Sequence, residues 1–480
     1  MSKAAPKWTY NDFSDHVRRF NQESVLDAVV AVALTLPGKM DDDPRRYQRT
    51  PPWALAAVVK ASLCNGNAHR STPMRERDLV LACHMHNNLH PEELDHPHLG
   101  SPLAIMVRIG YEQFPYQESM FEEMARAEAF FNGYTGSKPL TVVTDERLAK
   151  LLGAPVREAA GVALLLHAGA ERNGGFFDPK WLDQSNFTPV LDALSREAIL
   201  DVVNTSFASD VAGFKRLAAE APAVPLLDKY LFNPLMARPF IRRKDGRLIA
   251  PVPQLISRRM SPLEWYYAGI REWGTDFAID LGYLFEDYVG RQFATVPDAS
   301  VEPEIEYHRG KDRMDTTDWF IVFDDAVLLV EAKAGILPAA GRAGDDSLTT
   351  MMTRTVGKAI KQINRTHALI KSGAPEVVHI PNDRPILAMV ATLDPWYMAN
   401  SFLGHEVLPT CDVPVTVCSA RDIEFLVSIG QRTPVGPILT EIVTDPERST
   451  WSLGIALKPY RLTNDRNPLL DQAWKQYPFN

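Results

Sequence analysis

Two carboxylates and an ammonium group flank a short apolar segment in the C-terminal half of the sequence. Asp318 directly precedes the apolar run 319–323, and thirteen residues later Glu331, Ala332 and Lys333 end a second apolar run. If the two runs form a hairpin, Asp318 and Glu331 meet at the same end of the paired strands. Period-two alternation then places Glu331 and Lys333 on one face and Ala332 on the other. Because two buried carboxylates repel each other unless a cation joins them, this spacing predicts a site for a hard, oxygen-liganded ion such as Mg²⁺.

The order of these residues resembles the PD-(D/E)XK nuclease superfamily, the fold of many restriction enzymes. Asp318 matches the metal-binding aspartate of that family, and the tripeptide Glu331–Lys333 matches its E-x-K. Glu286 lies on the preceding predicted helix, where family members carry a glutamate, and Gln362 lies on the helix after the E-x-K strand, where some subgroups carry a glutamine. The resemblance covers about residues 281–417, and the literal Pro-Asp pair is absent because a threonine precedes the aspartate.

The resemblance implies hydrolysis of phosphodiester bonds with Mg²⁺ or Mn²⁺ as cofactor. Asp318, Glu331 and the Ala332 carbonyl would hold the ion, which polarises the phosphate and lowers the pKa of a bound water. The lysine of the tripeptide would orient or help to deprotonate that water and offset charge in the transition state. Glu286 is expected to support a second ion or its water, and Gln362 to steady the lysine or the scissile phosphate.

An E-x-K tripeptide alone has little specificity, and the sequence contains its own control. Asp178-Pro179-Lys180 fits the same formula, but its proline would lie inside the strand and no apolar run precedes it. The tripeptide at Glu331 instead comes with a helix glutamate, a strand aspartate, a hairpin and a helix glutamine in order. The alternative interpretation is an edge hairpin that ends in a surface Glu-x-Lys pair.

A basic segment follows the tripeptide in a chain whose formal net charge is -9. Residues 347–375 contain no carboxylate, and four basic residues there are spaced by four, three and four positions: Arg354, Lys358, Lys361 and Arg365. On a helix this spacing places them on one face, so we expect a local nucleic-acid-binding stripe on an otherwise acidic protein. DNA is favoured over RNA as the partner by analogy alone. The alternative is a solvated helix face.

The elements that must position these residues divide the chain into a helical first half and an α/β second half. Mixed three- and four-residue apolar spacing predicts helices at Glu23–Leu36, Pro52–Leu63 and Gln117–Phe131, among others. Apolar runs on both sides of Lys244-Asp245-Gly246 predict a β-hairpin. The predicted units are a helical N-terminal domain (1–222), a connecting segment with the hairpin (223–270), a nuclease-like domain (271–430) and a C-terminal extension (431–480).

Within the nuclease-like domain the pattern predicts helix, three strands, helix and strand. The expected elements are a helix capped by Thr275 or Asp276, a strand near Ile305–Tyr307, the hairpin Trp319–Phe323 with Ala326–Ala332, a helix at Met351–Ile370, strands at Ile386–Thr392 and Val415–Val417, and a helix capped by Ser419. The fold class is therefore α/β: a mixed-sheet, restriction-endonuclease-like core preceded by a mainly α-helical N-terminal region.

Other features of the sequence give weaker indications. Cys83, His84, His86, His90 and the pair His96 and His98 suggest zinc, although the spacing fits no standard finger and a His-rich polar loop is the alternative. Trp265-Tyr266-Tyr267 and Trp396-Tyr397 could stack bases, but apolar packing is favoured.

The cysteines and the apolar stretches bear on location. Four scattered cysteines are too few for a disulfide framework and favour a reducing, cytoplasmic setting. The longest apolar stretches are far shorter than the ~20 residues of a membrane span, so no membrane association is expected.

The function that these features predict is that of a metal-dependent nuclease acting on DNA, and the resemblance implies a role in bacterial defence against phage or foreign DNA. Two other functions stay open on the sequence. One is a non-catalytic nucleic-acid-binding or assembly subunit that retains the fold, which the intact carboxylates and lysine argue against. The other is an RNA-cleaving, toxin-like nuclease. The helical N-terminal region leaves self-association or a protein partner open.

Overall fold

The computed structural model of the protein describes residues 7–36, 43–90, 99–116, 119–220 and 226–477. Helices dominate the first half, and the three helices predicted there are found, although the start of the predicted helix Gln117–Phe131 lies outside the described residues. Their bounds are α1 (Tyr10–Val17), α2 (Gln22–Ala33), α3 (Pro44–Arg49), α4 (Pro52–Asn65), α5 (Glu76–Asn87), α6 (Pro102–Gln113), α7 (Met120–Phe131), α8 (Asp145–Leu152), α9 (Val156–Arg172), α10 (Thr188–Ala193), α11 (Arg196–Val202) and α12 (Val211–Glu220).

The segment Asp145–Arg172 contains α8 and α9 and combines length with an apolar composition. Among the described residues it is the stretch that could cross a membrane by length and composition, and 50% of its apolar window is buried inside the protein. Gly153, with a φ of +94°, ends α8 in the left-handed conformation that glycine adopts without strain. Leu152 and Leu166 belong to a large core cluster, so both helices contribute to the interior of the protein.

A small four-stranded sheet joins the predicted hairpin to the helical half. Its strands are β1 (Phe176–Phe177), β2 (Ala208–Ser209), β3 (Phe240–Arg242) and β4 (Leu248–Ile249), in the order β1-β4-β3-β2. The hairpin of β3 and β4 is confirmed, and Gly246 in its turn has a φ of +88°. Ile241 and Ile249 are buried against the helices α2 and α4, so the connecting segment shares a core with the first residues of the chain.

A five-stranded mixed sheet forms the centre of the second half. The remaining helices are α13 (Gln254–Arg258), α14 (Pro262–Trp273), α15 (Thr275–Ala294), α16 (Ala339–Arg342), α17 (Ser347–Met352), α18 (Lys358–Ser372), α19 (Phe402–His405), α20 (Ala420–Gly430), α21 (Val435–Thr444), α22 (Leu453–Ala456) and α23 (Pro468–Trp474). The strands are β5 (Ser300–Pro303), β6 (Glu306–Arg309), β7 (Asp312–Asp315), β8 (Trp319–Val322), β9 (Val327–Lys333), β10 (Ile386–Thr392) and β11 (Val415–Ser419). The sheet order is β11-β10-β9-β8-β5, with antiparallel pairing from β5 to β9 and parallel pairing from β9 to β11.

Period-two alternation along β9 separates two hydrophobic cores. Leu328 and Val330 face the cluster that contains α15 and α20, whereas Val327 and Leu329 face the cluster that contains α18. On α15, the predicted apolar stripe of Leu281, Phe285 and Tyr288 is fully buried. Burial of each such side chain contributes about 1.5–3 kcal/mol to stability. The predicted α/β class is confirmed as a mixed sheet with helices on both faces.

The strand predicted near Ile305–Tyr307 is found as β6 (Glu306–Arg309), but it does not belong to the central sheet. The strand that pairs with β8 in the central sheet is β5, at Ser300–Pro303, and it was not predicted. Residues 306–309 form β6, which pairs with β7 in a separate two-stranded sheet that turns at Gly310, where φ is +66°. The apolar Ile305 and Tyr307 alternate as strand residues do, but alternation does not specify which strand they pair with.

The helix caps also differ from the prediction at one place. The residue before α15 is Gly274, with a φ of +61°, and neither Thr275 nor Asp276 caps the helix with its side chain. A glycine in this conformation lets α14 and α15 follow each other directly. The predicted helix Met351–Ile370 is found as an unbroken helical segment that runs from α17 to α18. Residues 353–357 of this segment form a π-helical turn between the two α-helices.

Buried polar contacts connect the helical half to the second half. Arg126 on α7 donates two hydrogen bonds to Glu424 on α20, at 2.6 and 2.7 Å, and the Tyr288 hydroxyl donates a third at 2.6 Å. Phe130 and Phe285 lie in the same core, with ring centroids 6.5 Å apart. The interior is therefore continuous across the predicted domain boundary at residue 222.

Candidate active site

The β8–β9 hairpin brings Asp318 and Glu331 together, as the spacing predicts. Trp319 pairs with Val330, so the next position places Asp318 opposite Glu331 at the open end of the two strands. The Asp318 carboxylate accepts a hydrogen bond from the Ala332 amide at 2.6 Å. Asp318 is 8% exposed and Glu331 is fully buried. The structure thus places two carboxylates side by side in the interior at the end of the sheet.

All three chemical groups point to the α18 side of the sheet. Glu331 and Lys333 continue the face of Leu329, and Asp318 continues the face of Phe320, because side chains alternate along a strand. Ala332 packs into the opposite core, as expected. The Lys333 ammonium group forms an ion pair with the first carboxylate oxygen of Glu331.

Burial and mutual repulsion raise the pKa values of the two carboxylates, and Lys333 compensates their charge only in part. Burial and, after it, the charge of Glu331 raise the pKa of Asp318 to about 7. Burial also raises the pKa of Glu331, against the opposing effect of Lys333. Burial would lower the pKa of Lys333, but the charges of Glu331 and Asp318 outweigh it and the pKa is raised. The Asp318 carboxyl group, whose pKa is about 7, is therefore partly protonated near neutral pH.

The donor set fits a hard cation. The second carboxylate oxygen of Glu331, Oε2, is buried without a hydrogen-bond partner in the part of the chain that the structure describes. An unpaired buried oxygen is unfavourable, and a cation would satisfy it. Within the described ranges, no group of three or more histidine, cysteine or acidic side chains is placed to hold a metal ion. This chain would therefore provide two carboxylates, as is common for Mg²⁺, which keeps several waters.

Glu286 was predicted to support a second ion. Burial raises the pKa of Glu286 to about 6, and the charge of Asp318 contributes to this rise, so the two carboxylates lie near each other. Both of its carboxylate oxygens accept hydrogen bonds from Lys138 at 2.8 Å. The same ammonium group pairs with Glu304 at 3.0 Å. Lys138 therefore compensates the charge of Glu286.

Lys138 and Glu304 are the residues that sequence reasoning missed. Glu304 directly follows β5. In this part of the sequence glutamates occupy every second position, separated by Pro303 and Ile305, and this alternation was the signal that could have indicated a site residue. Lys138 lies in the loop between α7 and α8, far away in the sequence, and nothing around it indicates a site. Glu304 also belongs to the charge environment of Asp318 and Glu331, since it raises the pKa of both, and Lys138 pairs with Glu304.

A buried aspartate holds the loop of Lys138 in place. Asp280 on α15 is fully buried and accepts hydrogen bonds from the backbone amides of Thr141, Val142 and Val143, at 2.6–2.9 Å. Bonds from several amides to one carboxylate are strong and directional. The loop position is therefore set independently of the Lys138 side chain.

Gln362 lies behind Asp318 rather than beside Lys333. Its amide nitrogen donates to the carbonyl of Thr316 at 2.7 Å, and Thr366, one turn further along α18, accepts a hydrogen bond from the Thr317 amide at 2.9 Å. The predicted contact between Gln362 and Lys333 is therefore not found; Gln362 contacts Thr316 instead. Helix α18 thus fixes the backbone that precedes the aspartate.

The basic stripe is exposed, as predicted. Arg354, Lys358, Lys361 and Arg365 all have exposed side chains, and none of them forms an ion pair with another described residue. Buried residues such as Ile360 and Ile363 hold the opposite side of α18 against the sheet. The stripe is a positive surface on the helix that fixes the backbone before Asp318.

The weaker candidates have structural explanations. Cys83 and His86 are buried within the N-terminal helices, and His84 packs edge-on against Trp8 at 5.2 Å; His96 and His98 lie outside the described residues. Trp265 is fully buried and stacks on Phe131 at 4.6 Å, in agreement with a packing role.

Among the other aromatic candidates, Trp396 is also buried, and Tyr397 packs against Tyr111 at 4.8 Å. Tyr267, in contrast, is 39% exposed.

Comparison with protein-family models, with curated proteins and with solved structures finds no match for this chain. The site must therefore be interpreted from its own geometry and chemistry.

Proposed function

We propose that the protein is a metal-dependent nuclease that hydrolyses phosphodiester bonds, with DNA as the favoured substrate and Mg²⁺ or Mn²⁺ as cofactor. The observation that carries the proposal is the buried pair of Asp318 and Glu331 beside Lys333. One ammonium group beside two buried carboxylates leaves an excess of negative charge, which a bound cation would neutralise.

Each member of the group has a role in this proposal. Asp318 and Glu331 would hold the ion, with the Ala332 carbonyl as the third ligand that the family resemblance implies. When bound, the ion would polarise the scissile phosphate and make water a better nucleophile. The Lys333 ammonium group would orient that water and offset charge on the phosphate oxygens.

The order of elements supports a restriction-endonuclease-like core. The helix α15, the antiparallel strands β5, β8 and β9, the helix α18 and the parallel strand β10 follow one another in the order that the resemblance implies. In this arrangement the E-x-K tripeptide ends the third strand. Fold alone does not establish an activity, so this support is secondary to the chemistry of the site.

The basic stripe supports a nucleic-acid substrate. Three of its four side chains lie on α18, and Arg354 lies in the π-helical turn before that helix. Gln362 of α18 donates a hydrogen bond to Thr316, two residues before Asp318. Phosphates bound along this helix would lie near the carboxylate pair. The formal net charge of -9 makes a local stripe of this kind necessary for binding a polyanion.

The direct test is incubation of the purified protein with supercoiled plasmid, linear DNA and RNA, each in Mg²⁺, Mn²⁺ or EDTA. We expect cleavage of DNA with either metal and none in EDTA. Faster cleavage of RNA than of DNA would overturn the substrate assignment. Absence of cleavage for every substrate and metal would contradict the proposal and favour a non-catalytic binding subunit.

A further inference from the structure

A second cavity, separate from the candidate active site, lies between the N-terminal helices and the second half of the chain. Its volume is about 390 Å³, which is within the range of small-molecule sites. Its walls come from α4, α5, α6 and α12 on one side and from α13, α14 and α16 on the other. Asp318, Glu331 and Lys333 do not line it.

The walls of this cavity carry an excess of positive charge. Eight lysine and arginine side chains line it, against three glutamates. Each glutamate already pairs with a lining cation: Glu264 with Arg258 at 2.7 Å, Glu112 with Lys229 at 3.6 Å, and Glu220 with Arg271 at 3.8 Å. In a chain of net charge -9 this local excess is a specific feature of the cavity.

Three of the lining arginines are close enough for their charges to act on one another, and we call them the arginine triad: Arg238, Arg259 and Arg271. Arg238 and Arg259 donate to the backbone carbonyls of Thr205 and Ser206, and neither forms an ion pair with a described carboxylate. Burial and, after it, the charges of Arg259 and Arg271 lower the pKa of Arg238 to about 10. The guanidinium groups therefore repel one another, and an anion between them would relieve the repulsion.

An exposed aromatic ring lies next to the triad. Tyr267 precedes Arg271 by one helical turn on α14, so the two side chains share a face. The Tyr267 hydroxyl donates to the Leu337 carbonyl at 3.2 Å, which fixes the ring, while 39% of the residue stays exposed. Arg342 lies 5.4 Å from the centre of the ring. A fixed aromatic ring near several cations is a surface on which a base can stack.

We propose that this cavity binds a nucleotide unit, with phosphate groups on the arginine triad and the base stacked on Tyr267. The unit is either a free nucleotide or the terminal nucleotide of a nucleic-acid strand, which share this chemistry. The site is independent of the nuclease proposal, because none of its residues belongs to the carboxylate group.

The test is calorimetric titration of the full chain in EDTA, where no metal-dependent step occurs. The probes are ATP, tripolyphosphate, and a 5′-phosphorylated hexanucleotide. We expect saturable binding of ATP or of the hexanucleotide, and their relative affinities identify the source of the nucleotide. Binding of ATP and of the hexanucleotide no tighter than that of tripolyphosphate would overturn the role of the base, and absence of binding by all three probes would overturn the site.

Matched variants separate the two contacts. Arg271→Gln should weaken ATP or hexanucleotide binding about tenfold, since a charged hydrogen bond is lost, whereas Arg466→Gln, an equally exposed arginine outside the cavity, should not. Tyr267→Leu should weaken binding about tenfold, and Tyr267→Phe should restore it, because the phenyl ring still stacks. Glu331→Gln should leave binding unchanged. Equal loss in Arg271→Gln and Arg466→Gln, or in Tyr267→Phe and Tyr267→Leu, would contradict the assigned contacts.

Discussion

Replacing Asp318 by asparagine should remove a pH dependence of stability that the buried carboxylate pair introduces. The pKa of Asp318 is about 7 in the folded protein, against an ordinary value of 3.8. A carboxyl group with a raised pKa favours the folded state at low pH, and this stabilisation is lost as the pH rises from about 4 through about 7. Asparagine has no charge to bury, so the variant should not show this loss.

The size of the effect follows from the two pKa values. The raised pKa of Asp318 costs somewhat less than about 2 kcal/mol of stability at pH 5 and somewhat more than about 4 kcal/mol at pH 8, so the difference between these pH values is roughly 3 kcal/mol. For a chain of 480 residues the entropy of unfolding is about 1 kcal/mol/K, so the expected change in Tm is about 3 °C. The hydrogen bond from the Ala332 amide is already one of the causes that set the pKa of Asp318, and the side-chain carbonyl of asparagine can accept the same bond.

The assay is differential scanning calorimetry of wild type and Asp318→Asn at pH 5 and pH 8 in EDTA. The Tm of the variant relative to wild type should rise by about 3 °C from pH 5 to pH 8. Asp178→Asn, at the cap of a short 3₁₀ helix, is the matched control and should show no such change. A Tm difference that is equal at both pH values would refute the reasoning, because Asp318 would then titrate as an ordinary surface carboxylate.

Three further predictions concern the neighbours of the pair. Lys333→Ala should reduce cleavage severely but keep the rise in Tm that Mg²⁺ gives, measured by calorimetry, since the lysine is not a ligand; loss of that rise would contradict its role. Lys358→Ala/Lys361→Ala should lower the slope of log affinity for duplex DNA against log salt by about 0.9 per lost contact, measured in Ca²⁺; an unchanged slope would place the substrate elsewhere. Lys138→Met should move the midpoint of the pH–rate profile upward by about half a unit, because Glu286 then loses its cation; an unmoved midpoint would show that Lys138 does not act on the site.

The hairpin could be predicted from the sequence because its information is local. Glu331 follows Asp318 by thirteen positions, and the intervening chain contains β8, the turn and most of β9, so alternation and chain length determine that the two residues meet. The cap at Ser419 and the strand at Ile386–Thr392 are local in the same sense, and both are found as predicted.

The charge environment could not be predicted, because it depends on contacts between distant segments. Lys138 contacts Glu286 across 148 positions of the sequence. Its loop is held by hydrogen bonds from three backbone amides to the buried Asp280, and no sequence pattern indicates these bonds. Gln362 shows the same limit at closer range: its position on the helix was predictable, but whether it would contact Lys333 or Thr316 depends on how α18 lies against the sheet.

The central claim is most directly tested by the single-turnover rate of DNA cleavage in Mg²⁺ for Glu331→Gln and Asp178→Asn. The first variant keeps the shape of the side chain but removes one of the two charges that would hold the ion. We expect a loss of about 1,000-fold or more for Glu331→Gln, since an ion of this kind contributes several kcal/mol to the rate, and no loss for Asp178→Asn. Cleavage by Glu331→Gln at the rate of the wild type would contradict the assignment of this pair as the metal centre of a nuclease.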